Sequence, residues 1–76
     1  MNTETQKITP MLAWLRGHTK AEREQLAEGA ETSVMYLYQI GMGTRRPSIK
    51  KAKLIEHASG YTISRDKLLF PEEYMQ

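Results

Sequence analysis

Between Leu26 and Ser48 the chain twice starts a short apolar helix and twice interrupts it, and that rhythm points to a small all-α fold. Leu26, Ala27 and Ala30 make the apolar face of the first segment. A polar break, Glu31-Thr32-Ser33, follows, and Leu37 and Ile40 mark a second segment at helical spacing. Gly43-Thr44-Arg45-Arg46-Pro47-Ser48 then leads out. No stretch alternates apolar and polar residues beyond a few positions, so a sheet is not expected.

The helix boundaries are written in the flanking residues. Thr9-Pro10 starts a first helix, because Thr can cap it and Pro at the first helical position loses no needed N–H. Met11, Leu12, Trp14 and Leu15 form its apolar face, and Gly17 ends it. Thr19-Lys20-Ala21-Glu22 fits a capping box opening a helix that runs to Gly29 or Ala30. Thr32 or Ser33 caps the next, from Val34 to about Gly41. Pro47-Ser48 opens a fourth, stopped by Ser59-Gly60, and Ser64 caps a short fifth over Arg65 to Leu69, ended by Pro71. Residues 1–8 read as a flexible N-terminal tail, 9–70 as one domain and 71–76 as a C-terminal tail, exposed or loosely packed through Tyr74.

Seventy-six residues allow one domain, which buries only about 60% of its unfolded surface. Its core is expected from Leu12, Trp14, Leu15, Leu26, Ala27, Ala30, Leu37, Ile40, Ile49, Ala52, Leu54, Ile55, Leu68, Leu69 and Phe70. That fills a helical bundle but not the walls of a deep cleft, so no enzyme is expected. Cysteine is absent, which excludes disulfides and thiolate chemistry. No apolar run approaches the roughly 20 residues of a membrane span, and Met1 to Thr9 lacks the apolar segment of a secretory signal. A cytoplasmic protein is expected. His18 and His57 lie far apart in a chain without Cys, so neither a metal nor a cofactor is expected. Asp66 has no partner His and nucleophile in a familiar order, and Gly41-Met42-Gly43 ends a helix rather than opening one as a phosphate loop would. Met11, Met35 and Met42 read as core fillers.

The net charge is only +2, but its distribution is uneven. Arg45, Arg46, Lys50, Lys51 and Lys53 fall between Thr44 and Lys53 without an acid, whereas Glu22, Glu24, Glu28 and Glu31 face one Arg23 between Ala21 and Glu31. A local basic patch attracts phosphates even on a nearly neutral chain. Two short helices at a tight turn, followed by a basic loop, can present one helix to a DNA groove and clamp the flanking phosphates.

Leu26-Ala27, then Met35-Tyr36-Leu37-Tyr38-Gln39-Ile40-Gly41-Met42-Gly43-Thr44-Arg45-Arg46-Pro47-Ser48, resembles phage Cro/repressor-type helix-turn-helix proteins. The nearest likeness is to their YdaS-like branch of Cro-like proteins and prophage antitoxins. Those proteins often read Leu-Ala, then Tyr-Leu-x-Gln-Ile-x-x-Gly-x-Arg-x-Pro-Ser. Leu54-Ile55-Glu56-His57-Ala58-Ser59-Gly60 and Ile63-Ser64-Arg65-Asp66-Lys67-Leu68 continue the likeness, which spans roughly residues 20–70. It implies a five-helix, lambda-repressor-like domain with its motif at about 22–42. One departure stands out: the family usually has Gly in the turn, where this chain has Glu31, with Gly29 two residues earlier. Either Glu31 adopts a left-handed backbone at a cost of about 1–2 kcal/mol, or the turn is built differently.

The resemblance implies a repressor that binds an inverted-repeat operator in double-stranded DNA as a homodimer, with recognition helices about 34 Å apart. It places Ser33, Val34, Met35, Tyr38 and Gln39 at base edges. Gln39 has the groups to pair with adenine N6 and N7, Val34 and Met35 suit thymine methyls, and Ser33 and Tyr38 can donate to phosphates or bases. Arg23, Thr44, Arg45 and Arg46 suit phosphates. Lys50 and Lys51 stand at a helix N-terminus, where cations oppose the dipole, which suggests a role other than helix stability. Tyr36 and Tyr38, two apart, cannot both face the core, so one is expected to be exposed. Plainer readings compete with these: a solvated Gln39, a solvated Arg45-Arg46 loop, and lysines that are ordinary surface charge. Two functional alternatives stand beside the repressor: the antitoxin of a toxin–antitoxin pair, and a protein-interaction module that keeps the helix-turn-helix shape.

Overall fold

The computed structural model describes residues 8–75 and has no strand among them. Residues 1–7, on which most of the expected N-terminal tail falls, lie outside that range. The elements are α1 (Pro10–Arg16), α2 (Lys20–Gly29), α3 (Val34–Gly41), α4 (Ile49–Ala58) and α5 (Arg65–Leu69), followed by a 3-10 turn at Pro71–Glu73. That last turn sits in the segment expected as an open tail.

Every α-helix starts on a hydroxyl. The side chains of Thr9, Thr19, Ser33, Ser48 and Ser64 accept the backbone N–H of Leu12, Glu22, Tyr36, Lys51 and Lys67. Each cap is worth about 1 kcal/mol. The capping box at α2 is complete: Thr19 N–H donates to Glu22 Oε1 at 2.8 Å. That bond holds the Glu22 carboxyl below its ordinary value, with a smaller contribution from the Thr19 hydroxyl.

Three helices end in the same way. At α2, α3 and α4 the chain turns left-handed at Glu31 (φ 59°), Gly43 (φ 82°) and Gly60 (φ 66°). The N–H groups of Glu31 and Thr32 bond the carbonyls of Glu28 and Ala27; Gly43 and Thr44 bond Ile40 and Gln39; Gly60 and Tyr61 bond His57 and Glu56. These are paired Schellman bonds, which close the last carbonyls of a helix. At α2 the residue in the left-handed position carries a side chain, so the first of the two sequence alternatives for Glu31 holds. Glu31→Gly is expected to raise stability by about 1 kcal/mol, which lifts Tm by roughly 4–8 °C in a domain this small. A thermal melt with Tm unchanged or lowered would show that Glu31 carries no strain.

The core is a single cluster of Met11, Leu15, Leu26, Ala27, Ala30, Leu37, Ile40, Ala52, Ile55, Ile63 and Leu68, with Leu12 also buried. Helix α1 lies on α3, and α4 lies on both α2 and α5. Trp14, Leu54 and Leu69 pack on this cluster half-buried. Two expected core residues are exposed, Ile49 (63%) and Phe70 (51%). Helix α4 buries Ala52 and Ile55, and at 100° per residue Ile49 lies about 120° around the helix from Ile55. Phe70 caps α5 with φ −129° and ψ 60°, which turns it off the helical face. Ile63, unassigned from sequence, fills the core from the α4–α5 connection.

Helices α1 and α3 meet at a glycine. A Cβ built on Gly41 would stand 3.1 Å from Leu12 N and 3.2 Å from both its Cα and its Cβ. Beside this contact Thr9 Oγ1 donates to the Gly41 carbonyl at 2.7 Å, tying the start of α1 to the end of α3.

Candidate nucleic-acid interface

Helix α3 buries Leu37, Ile40 and Gly41. The opposite side is therefore centred on Met35, Gln39 and Met42, spaced four and three residues apart. Met35 is 70% and Met42 65% exposed, so neither fills the core; only Met11 does. Tyr36 and Tyr38 lie on the two shoulders between these sides. Both are half-buried and both pack on the core, which corrects the expectation that one of them is exposed. Two residues apart on a helix means about 200° of rotation, enough to place one tyrosine at each edge of the buried face.

Each tyrosine carries a cation. The Arg23 guanidinium lies over Tyr38, 5.9 Å from the ring centroid, and that of Arg45 over Tyr36 at 5.4 Å. Both arginines are anchored through Nε. Arg23 Nε donates to the Leu15 carbonyl at 2.7 Å, closing the C-terminal end of α1, and Arg45 Nε donates to Gln39 Oε1 at 3.1 Å. The exit loop folds back on α3: the backbone N–H groups of Thr44 and Arg45 and the Thr44 hydroxyl all donate to the Gln39 carbonyl, at 3.0, 3.2 and 3.1 Å.

The other residues assigned from sequence fall into two groups. Ser33 is exposed; its oxygen caps α3, which leaves the hydroxyl hydrogen to donate elsewhere. Lys50 is exposed at the start of α4, as is Lys53 one turn on. Met35, Gln39, Thr44 and Arg45 share the outward side of α3 and its exit loop. Val34 instead packs against the core as a half-buried residue, which leaves Met35 the better placed of the two for a methyl contact.

Lys51 and Arg46 are held by other parts of the chain. Lys51 Nζ donates to the carbonyls of Ala30 and Glu31, at 3.1 and 3.0 Å. A cation at the N-terminus of α4 is thus also a cation at the C-terminus of α2, where the dipole favours it. It braces the turn that Glu31 strains. Arg46 donates to the Leu69 carbonyl at 2.8 Å and to Glu72 Oε2 at 3.0 Å, pinning the Pro71–Glu73 turn to the basic loop. The Glu72 carboxyl is held below its ordinary value, first by a bond from its own backbone N–H and then by Arg46. Both partners of this pair are more than half exposed, so the ion pair itself contributes little to stability. Glu72 was not singled out from sequence; only a tertiary contact reveals it.

A shallow cleft lies between Trp14, His18, Glu22, Gln25 and Ala58. His18 stacks on Trp14 with ring centroids 3.7 Å apart and donates from Nδ1 to the Trp14 carbonyl. Among the described residues no group of three or more His, Cys, Asp or Glu is placed to hold a metal, and no helix is long and apolar enough to cross a membrane. Comparison of the chain with protein-family models, with curated proteins and with solved structures found no match.

Proposed function

We propose that α2, the turn at Ala30–Ser33 and α3 form a helix-turn-helix, and that α3 reads the major groove of double-stranded DNA. The observation that carries this reading is the outward side of α3. Met35, Gln39 and Met42 stand between two cation-covered tyrosines, and the side runs directly into a loop bearing Arg45 and Arg46. A helix that offers an amide and soft apolar groups along its centre, with cations at its margins, suits base edges flanked by phosphates. The sequence resemblance to Cro-like repressors supports the same reading. It extends it to a transcriptional regulator, a repressor working in the cytoplasm of a bacterial host, that pairs on an inverted repeat and occludes a promoter. No cofactor or catalytic step enters it.

The two exposed methionines favour a second reading. A side chain as apolar and adaptable as Met suits a protein groove as well as a thymine methyl. A protein-interaction module, or an antitoxin that holds a toxin through this side, would use the same residues.

Selection of bound sequences from random duplex DNA separates the two. A palindromic consensus is the expected result. No enrichment at low salt, together with a complex formed on a protein through Met35 and Met42, would replace the repressor with the interaction module.

A further inference from the structure

Gln39 stands at the centre of the outward side of α3, yet it is half-buried because Arg45 folds over it. The loop is built for that closure. Gly43 turns left-handed at φ 82°, and three donors from Thr44 and Arg45 converge on the Gln39 backbone carbonyl. Arg45 is thereby brought back along α3, with its guanidinium over the Tyr36 ring and its Nε on Gln39 Oε1.

This contact changes what Gln39 offers to a ligand. A lone glutamine takes adenine by donating to N7 and accepting from N6, which needs its Oε1. Here Arg45 Nε takes one of the two lone pairs of Oε1 at 3.1 Å, and its positive charge opposes a second donor such as adenine N6 at that oxygen. Beside the one remaining lone pair of Oε1, the free groups are mostly N–H donors: those of Gln39 Nε2 and those of the two Arg45 Nη nitrogens. Adenine shows the major groove one acceptor and one donor. Guanine shows two acceptors, N7 and O6, and matches a surface made of donors.

We propose that Gln39 and Arg45 act as one donor-rich, positively charged unit that selects guanine. The inference rests on the reading of α3 as a recognition helix. Phosphates are acceptors too, but they line the walls of the groove. Gln39 lies between Met35 and Met42 on the line of α3 furthest from the core, and that line faces the groove floor. Tyr36 holds the guanidinium beside it, so Arg45 is a specificity residue and its phosphate role gives way to base contact.

The test is selection from random duplex DNA with the unmodified chain, Arg45→Ala and Arg45→Lys, with helical circular dichroism as a check on each fold. Affinities are then measured on the best site carrying 7-deazaguanine, which lacks the N7 acceptor, in place of guanine. The unmodified chain is expected to select a guanine in each half-site and to lose about tenfold or more in affinity when that base is changed. It is expected to bind the 7-deaza site several-fold more weakly. Arg45→Ala should lose the guanine preference, drift towards adenine as Oε1 is released, and show no 7-deaza penalty. Arg45→Lys keeps a donor that can reach guanine but loses the Nε bond to Gln39, and should weaken the preference without abolishing it. An adenine at this position with the unmodified chain would overturn the proposal. So would an Arg45→Ala variant that weakens every sequence by one factor with its consensus intact, since that marks a phosphate contact and leaves DNA recognition standing. If the unmodified chain enriches no duplex at low salt, the reading of α3 as a recognition helix falls, and the guanine unit with it.

Discussion

Affinity for duplex DNA is expected to fall by about 10³-fold or more between 50 and 200 mM salt. Each cation that neutralises a phosphate releases a counterion, and about six to ten contacts give a loss of that size. A pair of subunits reaches six with Arg23, Lys50 and Lys53 alone. Arg23 keeps its Nη nitrogens free of the Leu15 bond, and both lysines are exposed. Lys51 is not counted, because its ammonium is bonded to the turn between α2 and α3. Arg46 joins only by leaving Glu72. Binding measured by fluorescence anisotropy across a salt series gives the slope. A flat titration would remove the phosphate clamp and shift the reading to the protein-interaction module.

The second large effect concerns stability. Gly41→Val is expected to cost about 3 kcal/mol, because the added carbons enter a space already closed by Leu12 at 3.1–3.2 Å. The whole domain, at 76 residues, is expected to have about 4–11 kcal/mol of stability, so this one substitution removes a large part of it. The corresponding fall in Tm is roughly 12–24 °C. Gly41→Ala should cost less, about 1–2 kcal/mol, since relief of glycine's poor helix propensity offsets part of the clash. Urea denaturation of both variants measures the pair. If Gly41→Ala is stabilising, α1 and α3 are not in backbone contact at this crossing.

The helices were legible because their ends are local. A hydroxyl that caps an N–H three residues on, or a glycine that reverses the chain after Met42, needs only its neighbours, and Thr9, Thr19, Ser48, Ser64, Gly43 and Gly60 could all be read that way. Glu31 was legible as a position in need of glycine, though not as one that stays left-handed without it. What was not legible depends on partners distant in sequence. Lys51 is a surface lysine until α4 is laid beside the end of α2. Arg46 is a loop cation until the Pro71–Glu73 turn comes back to meet it. Ile49 and Phe70 have the composition of core residues but the wrong angular position, and Ile63 has the right one only because its connection folds under α4. The outward side of α3 was half legible: the spacing of Leu37 and Ile40 turns Gln39 outward, whereas Met35 has the composition of a core filler and only its angular position sets it outside. Met42 and the Arg45 contact require the path of the loop.

The hydroxyl caps and left-handed turns also bear on how quickly this chain finds its shape. Both ends of α2, α3 and α4 are closed by residues only a few positions away, so each helix can form its own boundaries before meeting its neighbours. Chains dominated by such local contacts fold in about microseconds to milliseconds. The bond from Thr9 to Gly41, thirty-two positions apart, is of another kind. It forms only once α1 has docked on α3, and it ties that docking to the helix that carries Gln39.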